Sequence, residues 1–193
     1  MNSIKSILIL GFATVLIFGI LYPLAMVGLG NLVAPYAAQG KPLYRNGTLV
    51  GFENLGQPFN NPEYFWGRPS AVGYNAAATG GSNKGPNDPG YLEVVQSRID
   101  TLLKYHPGLK VEDIPVDMVT ASGGGLDPHI SQAGALMQIT RIAQVRNLPP
   151  KVVRDLVPEY TEPPLWGFLG PGDQVNVLKL NLALDQLTDQ INN

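Results

Sequence analysis

The sequence predicts an α+β fold, with one apolar membrane-spanning helix followed by a single mixed domain. Three observations carry the prediction. Residues Ile7 to Val33 contain no charged side chain, the nearest being Lys5 and Lys41. Residues 34–90 are rich in glycine, proline and asparagine without helical period, whereas apolar residues further on recur at helical spacing. Short β-favouring stretches lie among both, in "NGTLVGFE", "IPVDMVTAS" and "QVNV".

The charge-free run is about 27 residues long, more than the roughly 20 that cross a hydrocarbon core as a helix. Gly11, Gly19, Gly28 and Gly30 weaken a helix in water but permit close approach of partner helices in lipid. Pro23 is expected to kink or locally unwind the outer half of the span. A cleaved signal peptide is the competing reading. Its apolar region would be only about 7–15 residues long and be followed by a small-x-small site, which "VAPYAAQG" does not supply. The amino terminus and Lys5 form the positive end, so residues 1–6 are expected in the cytoplasm, 7–33 in the membrane and 34–193 outside.

The outer part carries all 15 acidic residues and all the basic ones except Lys5. That slightly negative balance excludes a basic nucleic-acid footprint. The chain has no cysteine, so disulfides and thiolate metal sites are excluded.

Element by element, "NGTLVGFE" reads as a turn and a short strand. The segment holding Phe59, Tyr64, Phe65, Trp66 and Tyr74 reads as irregular and aromatic-packed, and Ala78–Tyr91 as loop. Asp88-Pro89 opens a helix to about Tyr105, with Tyr91, Val94, Val95, Ile99, Leu102 and Leu103 as its apolar stripe. A strand is expected around Val116–Thr120. Ser131 is expected to cap a helix running to about Asn147, with Ala135, Ile139, Ile142 and Ala143 inward. Pro150 starts another helix that stops near Pro158. The tail begins with β-favouring Val175 and Val177 and becomes helical from about Leu180.

"VTASGGGLDPHIS" groups Ser122, Asp127, His129 and Ser131. A Ser-His-Asp mechanism needs these groups at hydrogen-bonding distance with an oxyanion hole, and residues so close in sequence seldom achieve that. The structural reading is a turn in which Gly123–Gly125 relax the backbone and Asp127 or Ser131 caps a helix. With only His106 and His129, a metal site is disfavoured. The glycine run lacks the Lys-Ser/Thr of a Walker loop, and Asp127 would repel phosphate. "GGSNKGP" reads as a tight polar loop, and Arg68 beside aromatics as a structural or interface residue. No Asp-Lys-Thr-Gly, the phosphorylation signature of a P-type ATPase, occurs.

Taken in order behind the span, "YFWGRPSAVGYN", "TGGSNKGPNDP", "VTASGGGLDPHIS", "TRIAQVRNL" and "VNVLKLNLALD" make the chain resemble the KdpC family, the C subunits of the Kdp potassium-transporting ATPase. The resemblance covers essentially the whole chain. It implies a non-catalytic subunit of a bacterial or archaeal cell membrane complex, spanning once with its domain outside. The implied partners are a channel-like subunit (KdpA), the ATPase subunit (KdpB), a small peptide subunit (KdpF) and membrane lipid. The transported ion is potassium. ATP enters only through the family's description as a catalytic chaperone, and the residues themselves give no bound cofactor.

Two groups of residues are marked for packing or interface roles. Gly11, Gly19, Pro23, Gly28 and Gly30 belong to the span. Arg68, Pro69, Ser70, Asn75, Gly80, Gly81, Ser82, Asn83, Thr120, Ser122, Gly125, Asp127, Pro128, Asn176, Asn181 and Asp185 lie in the shared motifs. Gly124, Thr79 and Thr140 depart from the residues common in the family. The alternative reading is an anchored periplasmic ligand-binding module or enzyme using the Gly80–Pro86 and Gly123–Gly125 loops.

Overall fold

A computed structural model describes residues 2–192. It divides into two compact units, residues 1–43 and 44–193.

The first unit is dominated by a continuous helix, Ser3–Val33, long and apolar enough to cross a bilayer and without a buried residue. It comprises α1 (Asn2–Thr14), a wider-wound π stretch (Val15–Leu21) and α2 (Tyr22–Val33). The loosening expected at Pro23 therefore falls in the two turns before the proline. The reason is local. The proline ring crowds the carbonyl four residues back, and bonding to the fifth residue relieves that crowding. At the junction the Tyr22 N–H accordingly donates to the Ile17 carbonyl. Polar side chains inside the span return to its own backbone: Thr14 Oγ1 donates to the Leu10 carbonyl and Asn31 Nδ2 to that of Val27. A short α3 (Pro35–Ala38) follows.

Strands β1 (Pro42–Arg45) and β2 (Thr48–Phe52) form a two-stranded sheet. Their connection is Asn46-Gly47, both at positive φ, the composition such hairpins favour. Of the two, only β2 was legible as a strand.

The second unit then runs without regular structure to α4 (Pro89–Tyr105), which Asp88 caps by accepting the Tyr91 N–H at 2.8 Å. Leu102 is buried, with Val95 and Ile99 packed against the core, but Val94 is exposed. The strand expected at Val116–Thr120 is instead a 3-10 turn, Val116–Met118. The Thr120 hydroxyl donates to the Val116 carbonyl there and helps close the turn.

A three-stranded antiparallel sheet has the order β3-β5-β4, from β3 (His129–Ser131), β4 (Thr161–Glu162) and β5 (Gln174–Asn176). Ile130 and Thr161 both face Val175 in register. Ser131 caps the next helix, accepting the Gly134 N–H at 2.9 Å. That helix is not continuous to Asn147. It divides into α5 (Gln132–Leu136) and α6 (Ile139–Arg146), with Asn147 in the left-handed conformation as C-cap. At the break the Gln138 N–H bonds the Ala135 carbonyl, and its side-chain amide takes the Gly134 carbonyl that an unbroken helix would have used.

Helix α7 (Pro150–Glu159) packs on α5, α6 and the C-terminal helix α8 (Val177–Asn192). α8 begins at Val177 rather than Leu180, because the Asn176 side chain accepts the Lys179 N–H and caps the first turn. Phe65, Ile130, Ile139, Ile142, Val153, Val157, Val175, Leu180 and Leu184 form the core, and Ala135 and Ala143 are buried as their spacing predicts.

Candidate functional site

The centre of the second unit is a strap of irregular chain, residues 62–66, held by side chains from α5–α6 and α8. Without a sheet or helix to serve its backbone, each residue of the strap borrows a partner. The Pro62 carbonyl accepts from Arg141 Nη1, and that of Glu63 from Arg146 Nε at 2.8 Å. Tyr64 donates its hydroxyl to Asp185 at 3.2 Å, with the Arg146 guanidinium over its ring. The Phe65 N–H donates to Asn181 Oδ1 at 2.8 Å, and Asn181 Nδ2 returns a bond to the Phe65 carbonyl at 3.0 Å. Gln138 clips Trp66 in the same way, at 2.8 and 3.1 Å.

Behind the strap lies a buried cation whose hydrogen-bonded acceptors are all neutral. Arg141 donates to His106 Nε2 at 3.0 Å and to Gln138 Oε1 at 2.6 Å, and stacks on the Trp66 ring at 4.2 Å. Burial lowers its pKa to about 10. The other ring nitrogen of His106 donates to the Leu102 carbonyl at 2.8 Å. Burial, and then the Arg141 charge, hold this histidine neutral with a pKa of about 4. Asp185 is a second node, shared by Arg45, Arg146 and Tyr64.

The two glycine-rich motifs meet backbone to backbone. Gly80 N–H donates to the Gly124 carbonyl at 3.1 Å, and a Cβ on Gly81 would stand 2.9 Å from the Gly123 carbonyl. Gly125 has φ +72°, and a Cβ there would lie 2.5 Å from Val72. Ser70 fixes this crossing by donating to the Gly125 carbonyl at 2.7 Å and accepting the Tyr74 N–H. Ser122 N–H reaches the Pro69 carbonyl, and Asn75 closes a turn on Ala77. Asn83 sits at positive φ. In the alternative reading these loops hold a ligand; here their glycines serve each other.

Arg68 pairs with Asp127 at 3.0 Å. Burial would raise the Asp127 carboxyl, but bonds from the His129 ring and backbone and from Arg68 hold it below the usual range. Burial, aided by Asp127, pushes Tyr74 up to about 12. Asp127 and His129 thus meet, but Ser131 donates its hydroxyl to Asp117 at 3.0 Å, so this serine is occupied elsewhere. Ser122 Oγ and Arg68 Nε are buried without a hydrogen-bond partner among the described residues. No cluster able to hold a metal ion occurs among those residues either. Pro128 accepts the Val177 N–H, and Asn176 reaches the Glu53 carbonyl at 2.8 Å, joining the sheet to the segment after β2.

Beside the strap an open groove of about 510 Å³ runs between α4 and residues 59–74, lined by Phe59, Trp66, Arg68, Arg98, Tyr105 and Met118 among others. Arg98 is tied back to the Val119 carbonyl at 2.7 Å. Many of the motif residues are therefore gathered in three places, the strap clips, the glycine crossing and the Arg68–Asp127 pair, whereas Thr120 lies in the 3-10 turn and Pro128 and Asn176 at the start of α8. Sequence reasoning missed His106, Gln138, Arg141 and Arg146. For Gln138, Arg141 and Arg146 the signal was weak, polar residues at the inward spacing of a helix in "MQITRIAQVR"; His106 gave none beyond its place at the end of α4.

A family model described as KdpC, the c chain of a K+-transporting ATPase, matches residues 4–186. The chain is also similar to curated proteins named potassium-transporting ATPase KdpC subunit. The one from Flavobacterium johnsoniae is 52% identical, covering 97% of this chain and 100% of the relative. That from Methylococcus capsulatus is 49% identical, covering 96% and 98%. A relative from Caldanaerobacter subterraneus is 45% identical over 87% and 86%.

Proposed function

The chain belongs to the KdpC family of potassium-transporting ATPase subunits, and from that premise we propose that it is the single-pass subunit that stabilises the pump from its outer side. Such a chain is an accessory subunit, and ATP hydrolysis resides in another chain of the complex. In this reading residues 1–6 lie in the cytoplasm, the span crosses the cell membrane and residues 34–193 lie outside. The domain stands beside the channel-like subunit (KdpA) and shapes the external potassium entrance. The ATPase subunit (KdpB) and the small peptide subunit (KdpF) complete the assembly.

The observation that carries the proposal is the extent of the family match, which includes both the apolar span and the domain. The packing of the motif residues supports it. Many of their polar groups are spent on holding irregular backbone in place, which suits a docking subunit better than a catalyst.

The family's chaperone description has the subunit raise the ATPase subunit's nucleotide affinity. In this reading residues 34–193 lie on the side of the membrane away from cytoplasmic ATP. Any such effect therefore passes through the assembly. The test is purification of the tagged chain from potassium-starved cells. Co-recovery of a channel-like protein and a P-type ATPase is expected, and recovery of the chain alone overturns the proposal.

A further inference from the structure

The loop between β4 and β5 contains the most exposed large aromatic and apolar side chains of the second unit outside its helices. Residues 163–172, "PPLWGFLGPG", contain no charge and lie between Glu162 and Asp173. Leu165, Trp166 and Phe168 are 64%, 77% and 74% exposed, and Leu169 is 44% exposed. Four neighbouring large side chains in water form a patch, which marks an interaction site rather than ordinary surface scatter.

The loop is also built to project them. A turn closes through the Gly167 N–H to the Pro164 carbonyl at 2.8 Å, and Leu165 pairs with Leu169. Trp166 is the third residue of that turn, at φ 56°. That conformation is ordinarily left to glycine or asparagine, and a bulky residue in it signals a backbone held for a purpose. The large ring is thus presented at the tip, 77% exposed.

We propose that this loop inserts into the interfacial layer of the lipid bilayer in which the chain itself is anchored. The inference rests on the membrane-spanning reading above. Three facts on the chain favour lipid as the occupant. Residues 34–43 that follow the span reach at most about 35 Å even when fully extended, which tethers residue 44 within that distance of the bilayer that holds the span. Trp, Phe and Leu on a charge-free tip are the side chains that settle at the headgroup boundary. The flanking Glu162 is occupied by Lys179 at 2.6 Å, and the tip offers no cation for a headgroup. The contact is therefore apolar and insensitive to salt.

The test uses the full chain reconstituted in phosphatidylcholine vesicles, plain or brominated near the top of the acyl chains. Trp66 and Trp166 are the only tryptophans, and none lies in the span. Brominated lipid is expected to remove about half of the wild-type emission and to leave that of Trp166→Phe unchanged, at low and high salt alike. Equal emission in the two lipids overturns the proposal. So does a blue-shifted but unquenched Trp166, which would mean that protein covers it. Flotation is read in the same samples. A chain that fails to float with the vesicles overturns the spanning reading itself, whereas one that floats with an unquenched Trp166 overturns only the insertion.

Discussion

The span and the strap satisfy their backbones by opposite means. The span does so locally. Its helix pairs the backbone with itself, and even Thr14 and Asn31 turn back onto its carbonyls. Its side chains all face outward, so they are free to be selected for the environment. The strap has no local solution. It depends on Gln138, Arg141, Arg146 and Asn181, residues 72 to 116 positions away. A self-satisfied segment tolerates change in its side chains; a borrowed one fails when a lender is lost.

The sharpest way to break this contrast is Asn181→Leu. It orphans the buried N–H and carbonyl of Phe65, at a cost of about 4 kcal/mol for the two groups together. Denaturant unfolding should show the loss, and the amide of residue 65 should exchange faster. Retained stability would mean that the strap does not depend on its clips.

Next comes acid. Folded His106 binds its proton less readily than the unfolded chain does, with a pKa of about 4 against an ordinary 6.5. Its contribution is therefore complete above pH 6.5 and is lost as pH falls towards 4, by about 3 kcal/mol. The groups packed around it are Arg141 and the Trp66 ring. The slope of unfolding free energy between pH 6.5 and about 5, above the range where depressed carboxylates such as Asp127 contribute, should flatten in His106→Asn.

Gly125→Ala is expected to cost on the order of 2 kcal/mol, through its positive φ and the contact with Val72. The smallest effect on the chain's own stability belongs to the span. A Cβ at Gly19 meets only Val15, at 3.8 Å, so Gly19→Leu should leave the isolated chain unchanged. Its readout is instead release of the chain from the pump during detergent purification. Full retention with normal transport would remove the close-packing role of the span.

The same contrast explains what was legible in the sequence. The span, α4, the Ser131 cap and α7 rest on signals a few residues apart, and each was readable. The strap was recognised only as irregular and aromatic-packed, because its partners lie on helices far along the chain. Arg141 and His106 carried no sign of their meeting. The strand expected at Val116–Thr120 failed for a related reason: Asp117 meets β3 through its side chain, which accepts from the Ser131 N–H and hydroxyl, and the Thr120 hydroxyl helps close a 3-10 turn. Among the motif residues, the glycines announced tight turns but not that each loop was the other's partner.

The widened turn at Val15–Leu21 has a consequence for the shape of the span as a rail. An α-helix rotates about 100° per residue, and one bonded to the fifth residue rotates roughly 80°. Wound uniformly, Gly11 and Gly19 would point nearly a quarter-turn apart. With half of the intervening residues under-rotated, Gly11, Gly19 and Gly30 fall within roughly a tenth of a turn of one line, and Gly28 stands about a third of a turn away. A spiral of small residues becomes one straight, shallow channel, along which a neighbouring helix can lie over nearly the full thickness of the membrane.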